Sequence, residues 1–297
     1  MRKNSFKILF SILAVVFLFP LTSCQENTPT STSSAITPSI IVIPSDTPEP
    51  MALLINGEGI SKDEFEAELS RFQTAQTELG NTVSIELARQ QVLDEFIDLV
   101  LLKQGAEAAG FNVDDAMLQD RIDNLIEQIG GIETLTLWEQ EHGYTDESLR
   151  VSLRKQIGAA WMRDNIISLV PSIAEQVHVQ QILAYNQGAA QEAWDQLNSG
   201  ADFATLASNF DPITKGELGW FPRNYLPDIQ IEEAAFALQP GQYSQVIETI
   251  AGYSILMIIE READHLLSPD ALMTLQIHAI QQWLEDQRQS SNILITP

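Results

Sequence analysis

Apolar positions along the 297-residue chain fall into four successive patterns. The first is a run from Ile8 to Pro20, broken only by Ser11 and preceded by Arg2, Lys3 and Lys7. It is shorter than the roughly 20 residues a helix needs to cross a bilayer, and a positive start followed by such a run is the pattern of a secretory signal. The second, residues 25 to 50, has ten Ser or Thr and five Pro. Such a stretch is too polar and proline-broken to bury a core and reads as a linker, with the Ile40 to Ile43 run as its one sticky patch or edge strand. Fully extended it reaches about 90 Å.

The third pattern is helical. Met51 to Ile55 is a short strand closed by an Asn56-Gly57 turn, and Ser61 with Glu64 forms a capping box ahead of Phe65, Leu69 and Phe72 at helical spacing. A long helix from Ser84 presents Val92, Leu93, Phe96, Ile97 and Val100 and stops near Gly110. Asp114 caps the next, with Leu118, Ile122, Leu125 and Ile129 inward. Thr145 caps another, with Leu149, Leu153, Ile157 and Trp161 inward. These amphipathic segments predict a helical bundle.

From 177 the period changes again. Val177 to Ala184 reads as a strand and Gly188 to Leu197 as a helix. Asp202 caps a helix carrying Phe203, Leu206, Ala207 and Phe210 on one face. GELGWF, a helical turn at EEAAFAL, a tight Pro240-Gly241 turn and strands over 243–249 and 253–260 complete a small domain. Ser268 and Pro269 open a last helix, and Ile293 to Ile295 can add a strand. The predicted fold class is α+β, a helical module followed by a small domain with a mainly antiparallel sheet.

Charge and cysteine narrow the setting. The net charge of −25 repels phosphate backbones, which argues against nucleic acid as a partner; a soluble, exposed surface accounts for the acid, with basic clients as a weaker reading. Cys24 is the only cysteine, so the chain forms no intramolecular disulfide. The segment Leu21-Thr22-Ser23-Cys24 resembles the bacterial lipobox, which implies acylation of Cys24 and a lipid tether; a stray thiol beside an ordinary cleavage site is the plainer alternative.

Two further stretches carry a resemblance. MALLINGEGISKDEF, QVLDEFIDLVLLKQGAEAAGF and GYTDESLRVSLRKQI together resemble the N-terminal chaperone module of the SurA and PrsA families of extracytoplasmic foldases. GADFATLASNF, GELGWF, IEEAAFALQPGQYSQVIET and GYSILMI, in that order, resemble a parvulin-type (PpiC) peptidyl-prolyl isomerase domain. The patterns above give a signal peptide over 1–23 and a linker over 24–50, and the resemblance implies a helical chaperone module over 51–172. A parvulin-like domain then spans 173–263, and a C-terminal segment, 264–297, returns to complete the chaperone body.

The family's site residues do not all carry over. Where parvulins have paired histidines in the first and last strands, this chain has Gln181 and Ser254. Asp211 stands where the family has an acidic or thiol group, in a shorter loop, and Lys215 replaces a glycine. By the same resemblance, Ile231 and Leu226 stand in place of the family's aromatic and methionine in the proline pocket while Leu218 keeps its apolar role, and these three with Phe236 can still supply much of a pocket. Gln181 and Ser254 are expected to hydrogen-bond to each other, directly or through water; the alternative has Ser254 merely tolerated in a core strand and Gln181 reaching solvent.

Other chemistry finds little support. His142, His178, His265 and His278 lack metal-site spacing, and there is no phosphate loop, GxSxG elbow or dinucleotide fingerprint, so no metal or cofactor is expected. Phe65, Phe72, Leu149 and Trp161 are core, or else line a client groove. Two functions remain open: a lipid-anchored foldase that isomerises X-Pro bonds in exported polypeptides, and a catalytically silent holdase of the same architecture.

Overall fold

The computed structural model describes residues 50–296. The expected signal at 1–23, Cys24 and the linker through residue 49 lie outside the described residues. The fold divides into two compact units, one containing the described residues to Ala159 together with Ser291 onward, the other Ala160–Ser290.

In the first unit, β1 (Met51–Ile55) is the centre of a three-stranded antiparallel sheet, between β2 (Glu58–Ser61) and β7 (Ile293–Ile295). In the C-terminal segment β7 groups with the first unit, and α9 (Pro269–Ser290) groups with the second. Leu53, Ile55 and Ile60 are fully buried on this sheet.

The helices begin where side chains cap them. Ser61 accepts from the Glu64 N–H at 3.1 Å ahead of α1 (Lys62–Glu78), and Ser84 from the Leu87 N–H ahead of α2 (Ile85–Ala108). Asp114 does the same for α3 (Asp115–Ile129). At α5 (Asp146–Ser168), Thr145 and Ser148 cap each other reciprocally at 2.9 and 3.1 Å. Glu64 does not close its half of the expected box; its carboxylate pairs with Lys155 at 2.8 Å instead.

A further helix, α4 (Ile132–Glu141), follows Gly130 and Gly131, both at positive φ, and has no side-chain cap. Leu118, Ile122, Leu135, Leu149 and Leu153 form one core between α3, α4 and α5. Phe65 is buried, whereas Phe72 and Trp161 are half-buried. Among the described residues, no helix is long and apolar enough to cross a membrane.

The second unit is built on a four-stranded antiparallel sheet of order β4-β3-β6-β5, where β3 is Ile173–Ala184, β4 Glu217–Pro222, β5 Ile247–Thr249 and β6 Gly252–Leu266. The central strands are longer than the sequence pattern predicts, and β5 is shorter. Upstream of β5 the chain is held to β6 by a Tyr243–Met257 bridge, by backbone hydrogen bonds of Gly241 and Gln242 with Ile258, and by the Ser244 backbone and hydroxyl contacts to Leu256.

Two apolar layers sandwich this sheet. On one face α6 (Gln187–Asn198) and α7 (Phe203–Phe210) bury Ala193, Leu197, Phe203, Leu206 and Ala207 against Ile182 and Ile255. On the other, α8 (Ile229–Ala237) buries Ile231, Ala235 and Phe236 against Val177, Val179, Phe221, Leu256 and Ile258. The period-2 alternation of β3 and β6 sends neighbouring residues to opposite layers.

Candidate functional site

Strand register decides where the polar pair lies. Gln181 is opposite Leu256 and Leu183 opposite Ser254, so Gln181 and Ser254 sit diagonally on one face of the sheet. It is the face covered by α8, because Leu256 packs there with Ile231 and Phe236. The Gln181 Nε2 donates to Ser254 Oγ at 2.7 Å. Ser254 is fully buried and Gln181 half-buried. The direct hydrogen bond expected from the sequence is therefore present, and the buried hydroxyl is satisfied by it. Neither group ionises near neutral pH, so the pair offers hydrogen bonds and no acid or base.

Backbone contacts fix this end of β3. Gly216 (φ +73°) accepts from the Gln181 N–H at 2.7 Å, and a Cβ at Gly216 would stand 2.0 Å from the Gln181 carbonyl oxygen. Gly252 (φ +138°) likewise leaves no room for a Cβ, which would lie 2.5 Å from the Ala184 oxygen. Both glycines are required by close approach as well as by φ. Gln180, on the other face, donates to the Lys215 carbonyl at 2.7 Å, tying the preceding loop to the strand.

Asp211 works within that loop. Its Oδ1 accepts from the Ile213 and Thr214 N–H groups, and the Thr214 hydroxyl donates to its Oδ2. The Thr214 hydroxyl bond, followed by the backbone bonds, holds its carboxyl below the usual carboxylate range. Asp211 is thus an ionised turn-former whose hydrogen bonds order the 211–216 loop.

The four expected pocket residues have unequal exposure. Ile231 and Phe236 belong to the core of the α8 layer, at 6% and 4% exposure. Leu226 is half-buried and packs against that core together with Tyr225. Leu218 is the extra residue of a β-bulge between the Val179–Gly219 and Gln180–Glu217 pairs, and is 39% exposed. The apolar surface open to a ligand therefore comes from Leu218 and Leu226, backed by a floor of Ile231 and Phe236.

Glu232 escapes a sequence reading. It is 3% exposed in the first turn of α8, and its carboxylate accepts from the N–H groups of Asn224 at 2.7 Å, Tyr225 at 3.0 Å and Leu226 at 3.2 Å. Its one sequence signal is an acid in a first helical turn, which the helix dipole favours wherever it points.

Two family models match the chain. A family model described as a SurA-like N-terminal domain matches residues 1–148, and one described as a PPIC-type PPIase domain, of the rotamase family, matches residues 176–260. The chain carries a SurA-like N-terminal domain and a PPIC-type isomerase domain. The chaperone SurA of Methylobacillus flagellatus is 28% identical over 212 residues, which are 59% of this chain and 48% of that protein. The periplasmic chaperone PpiD of Haemophilus influenzae is 40% identical over 94 residues, 30% of this chain and 15% of that protein. The chain thus spans about half or less of the length of these curated relatives. Among solved structures, the peptidylprolyl isomerase PrsA from Bacillus cereus aligns over 81% of this chain and 88% of that one, at 20% identity and a TM-score of 0.46.

Within the PPIC-type domain, the structure brings Gln181, Ser254, Leu226, Ile231 and Phe236 to one sheet face. Asp211 and Leu218 belong to the loop and bulge beside Gln181. In the first unit, Phe65 and Leu149 are core at 3% and 6% exposure. Of the four residues weighed as groove-lining, only Phe72 and Trp161 keep accessible surface.

Proposed function

We propose that this chain is a lipid-anchored extracytoplasmic foldase that binds unfolded exported polypeptides and promotes cis–trans isomerisation at their X-Pro bonds. The observation carrying the proposal is the Gln181–Ser254 hydrogen bond on the same sheet face as Leu226, Ile231 and Phe236. Prolyl isomerisation breaks no covalent bond; its barrier of about 18–20 kcal/mol is amide resonance lost on twisting the C–N bond. An apolar wall that seats the proline ring favours the less polar twisted amide, and the half-buried Gln181 amide, fixed from below by the buried Ser254 hydroxyl, orients a flanking carbonyl. No proton needs to move. The Leu21–Cys24 segment supports the anchor at Cys24, and the Ser/Thr/Pro linker gives the domains reach from the membrane.

A holdase with a silent isomerase domain is the second reading, favoured by the burial of Ile231 and Phe236, which narrows the accessible wall to Leu218 and Leu226. Refolding of a client limited by proline isomerisation separates the two. A slow-phase rate that rises with concentration of this chain supports the isomerase. Suppressed aggregation with an unchanged slow phase rejects it in favour of the holdase.

A further inference from the structure

The geometry points to Glu232 as a positioning residue of the proline-binding face: its carboxylate fixes the 224–226 loop, and so the Leu226 side chain, against α8. The inference rests on the proposed reading of that face. Three successive N–H groups converge on this one carboxylate, with Oε1 taking Asn224 and Oε2 taking both Tyr225 and Leu226. Converging backbone donors of this kind form an anion-binding nest, here filled by the chain's own side chain. Asn224 turns at φ +63°, which sends the chain from the end of β4 back over α8.

The carboxylate is buried and both its oxygens accept from backbone N–H groups of the loop, so holding this loop is the work its position allows. A second pin lies next to the first, the Arg223 guanidinium over the Phe236 ring at 4.2 Å. Segment 223–226 lies between β4 and α8 and belongs to no strand or helix, so these side-chain contacts set the place of Leu226. A carboxamide cannot take over, because whichever way it is turned its NH₂ faces at least one of the three N–H donors.

The test uses the full chain and the peptide acetyl-Ala-Leu-Pro-Ala-amide, titrated calorimetrically. Glu232→Gln should bind it about tenfold more weakly, with amide exchange at Asn224 to Leu226 accelerated about tenfold or more. The control is Ala193→Gly, which weakens α6 on the opposite face without touching the loop and should bind within about twofold of the unmodified chain. If Glu232→Gln does not fold, Glu232→Asp keeps the charge one methylene short and should show the same loss. Unchanged affinity in the folded Glu232 variant, or a loss no greater than the control's, overturns the positioning role while the proline-binding face stands. If the unmodified chain does not bind the peptide, the face itself is misassigned and the inference falls with it.

Discussion

Ser254 accepts a 2.7 Å hydrogen bond from the Gln181 amide while exposing no surface to solvent. The pair is coupled, so the two positions should behave as a unit. Ser254→Ala should cost about 1 kcal/mol, because Gln181 is half-buried and can recover part of its hydrogen bonding from water. In a double-mutant cycle, Gln181→Ala should cost less in the Ser254→Ala background than alone, by about 0.5–1 kcal/mol. Urea unfolding followed by tryptophan fluorescence measures both. Strictly additive losses would mean that the hydrogen bond contributes nothing to stability.

Restoring the family residues tests whether the wall is competent. Gln181→His with Ser254→His should raise X-Pro isomerisation more than either change alone, since one imidazole without its partner is buried beside an unmatched group. A protease-coupled or NMR exchange assay reads the rate. A double variant that folds and gains nothing would place the deficit in the apolar wall.

Lys215 adopts φ +58°, where the family pattern has glycine, and its hydrogen bonds in the site are made by its backbone, the carbonyl accepting from Gln180 and the N–H donating to the Asp211 carbonyl. Side chains in this region cost about 1–2 kcal/mol, part of which glycine returns through a looser unfolded chain. Lys215→Gly should therefore stabilise the second unit by about 0.5–1 kcal/mol. Its neighbour behaves oppositely. A Cβ at Gly216 meets the Gln181 oxygen at 2.0 Å, so Gly216→Ala should destabilise by more than about 2 kcal/mol and displace Gln181. Thermal unfolding of the two single variants gives the comparison.

Glu95, on α2, is half-buried, and its carboxyl is raised from 4.5 to about 7 by burial first and then by Glu68 and Asp98. The folded state then binds this proton more tightly than the unfolded state. Its effect is absent below about pH 4.5, becomes a growing penalty up to about pH 7, where the folded-state carboxyl is half ionised, and levels off above that. Glu95→Gln should therefore stabilise the first unit by about 2–3 kcal/mol at pH 8, have little effect at pH 4.5, and flatten the loss of stability between those values. Denaturant titrations at pH 4.5, 6 and 8 check the sign. An equal effect of the substitution at all three would remove Glu95 as the source.

How far these features are legible in the sequence depends on whether the signal is local. Helices capped by Ser61, Ser84, Asp114, Thr145 and Asp202 carry their start signals in the chain itself, and the structure places them there. α4 lacks such a signal, because Gly131 stands at its N-cap without a side-chain hydrogen bond. β2 buries only Ile60 of its four residues, too few to show an alternation. The Gln181–Ser254 pair is legible because strand order and register bring two marked positions together. Glu232 is not, because its role exists only once the 224–226 loop has folded over it.

Asn56 shows the same limit from the other side. The Asn-Gly dipeptide predicts a turn, and Asn56 does turn at φ +53°. What the dipeptide does not reveal is that this side chain ties together three distant parts of the first unit. Its Nδ2 donates to Gln104 on α2 at 2.9 Å and to Ser291 at 3.1 Å, and its Oδ1 accepts from the Asn292 N–H at 2.9 Å, 236 residues along the chain. Its own N–H donates to the Asn292 carbonyl. Asn56→Gly keeps the backbone conformation and removes only the side-chain bonds, so it isolates their contribution. The expected cost is about 1–3 kcal/mol, the Gln104 and Ser291 partners being exposed enough to turn to water. The loss should concentrate in β7. Amide exchange at Ile293 to Ile295 should accelerate more than at β2, because among the described residues β7 has β1 as its only strand neighbour and these bonds as its anchor at the chain entry. Equal acceleration across β2 and β7 would show that the sheet opens as one body, without a special role for Asn56 at the β7 edge.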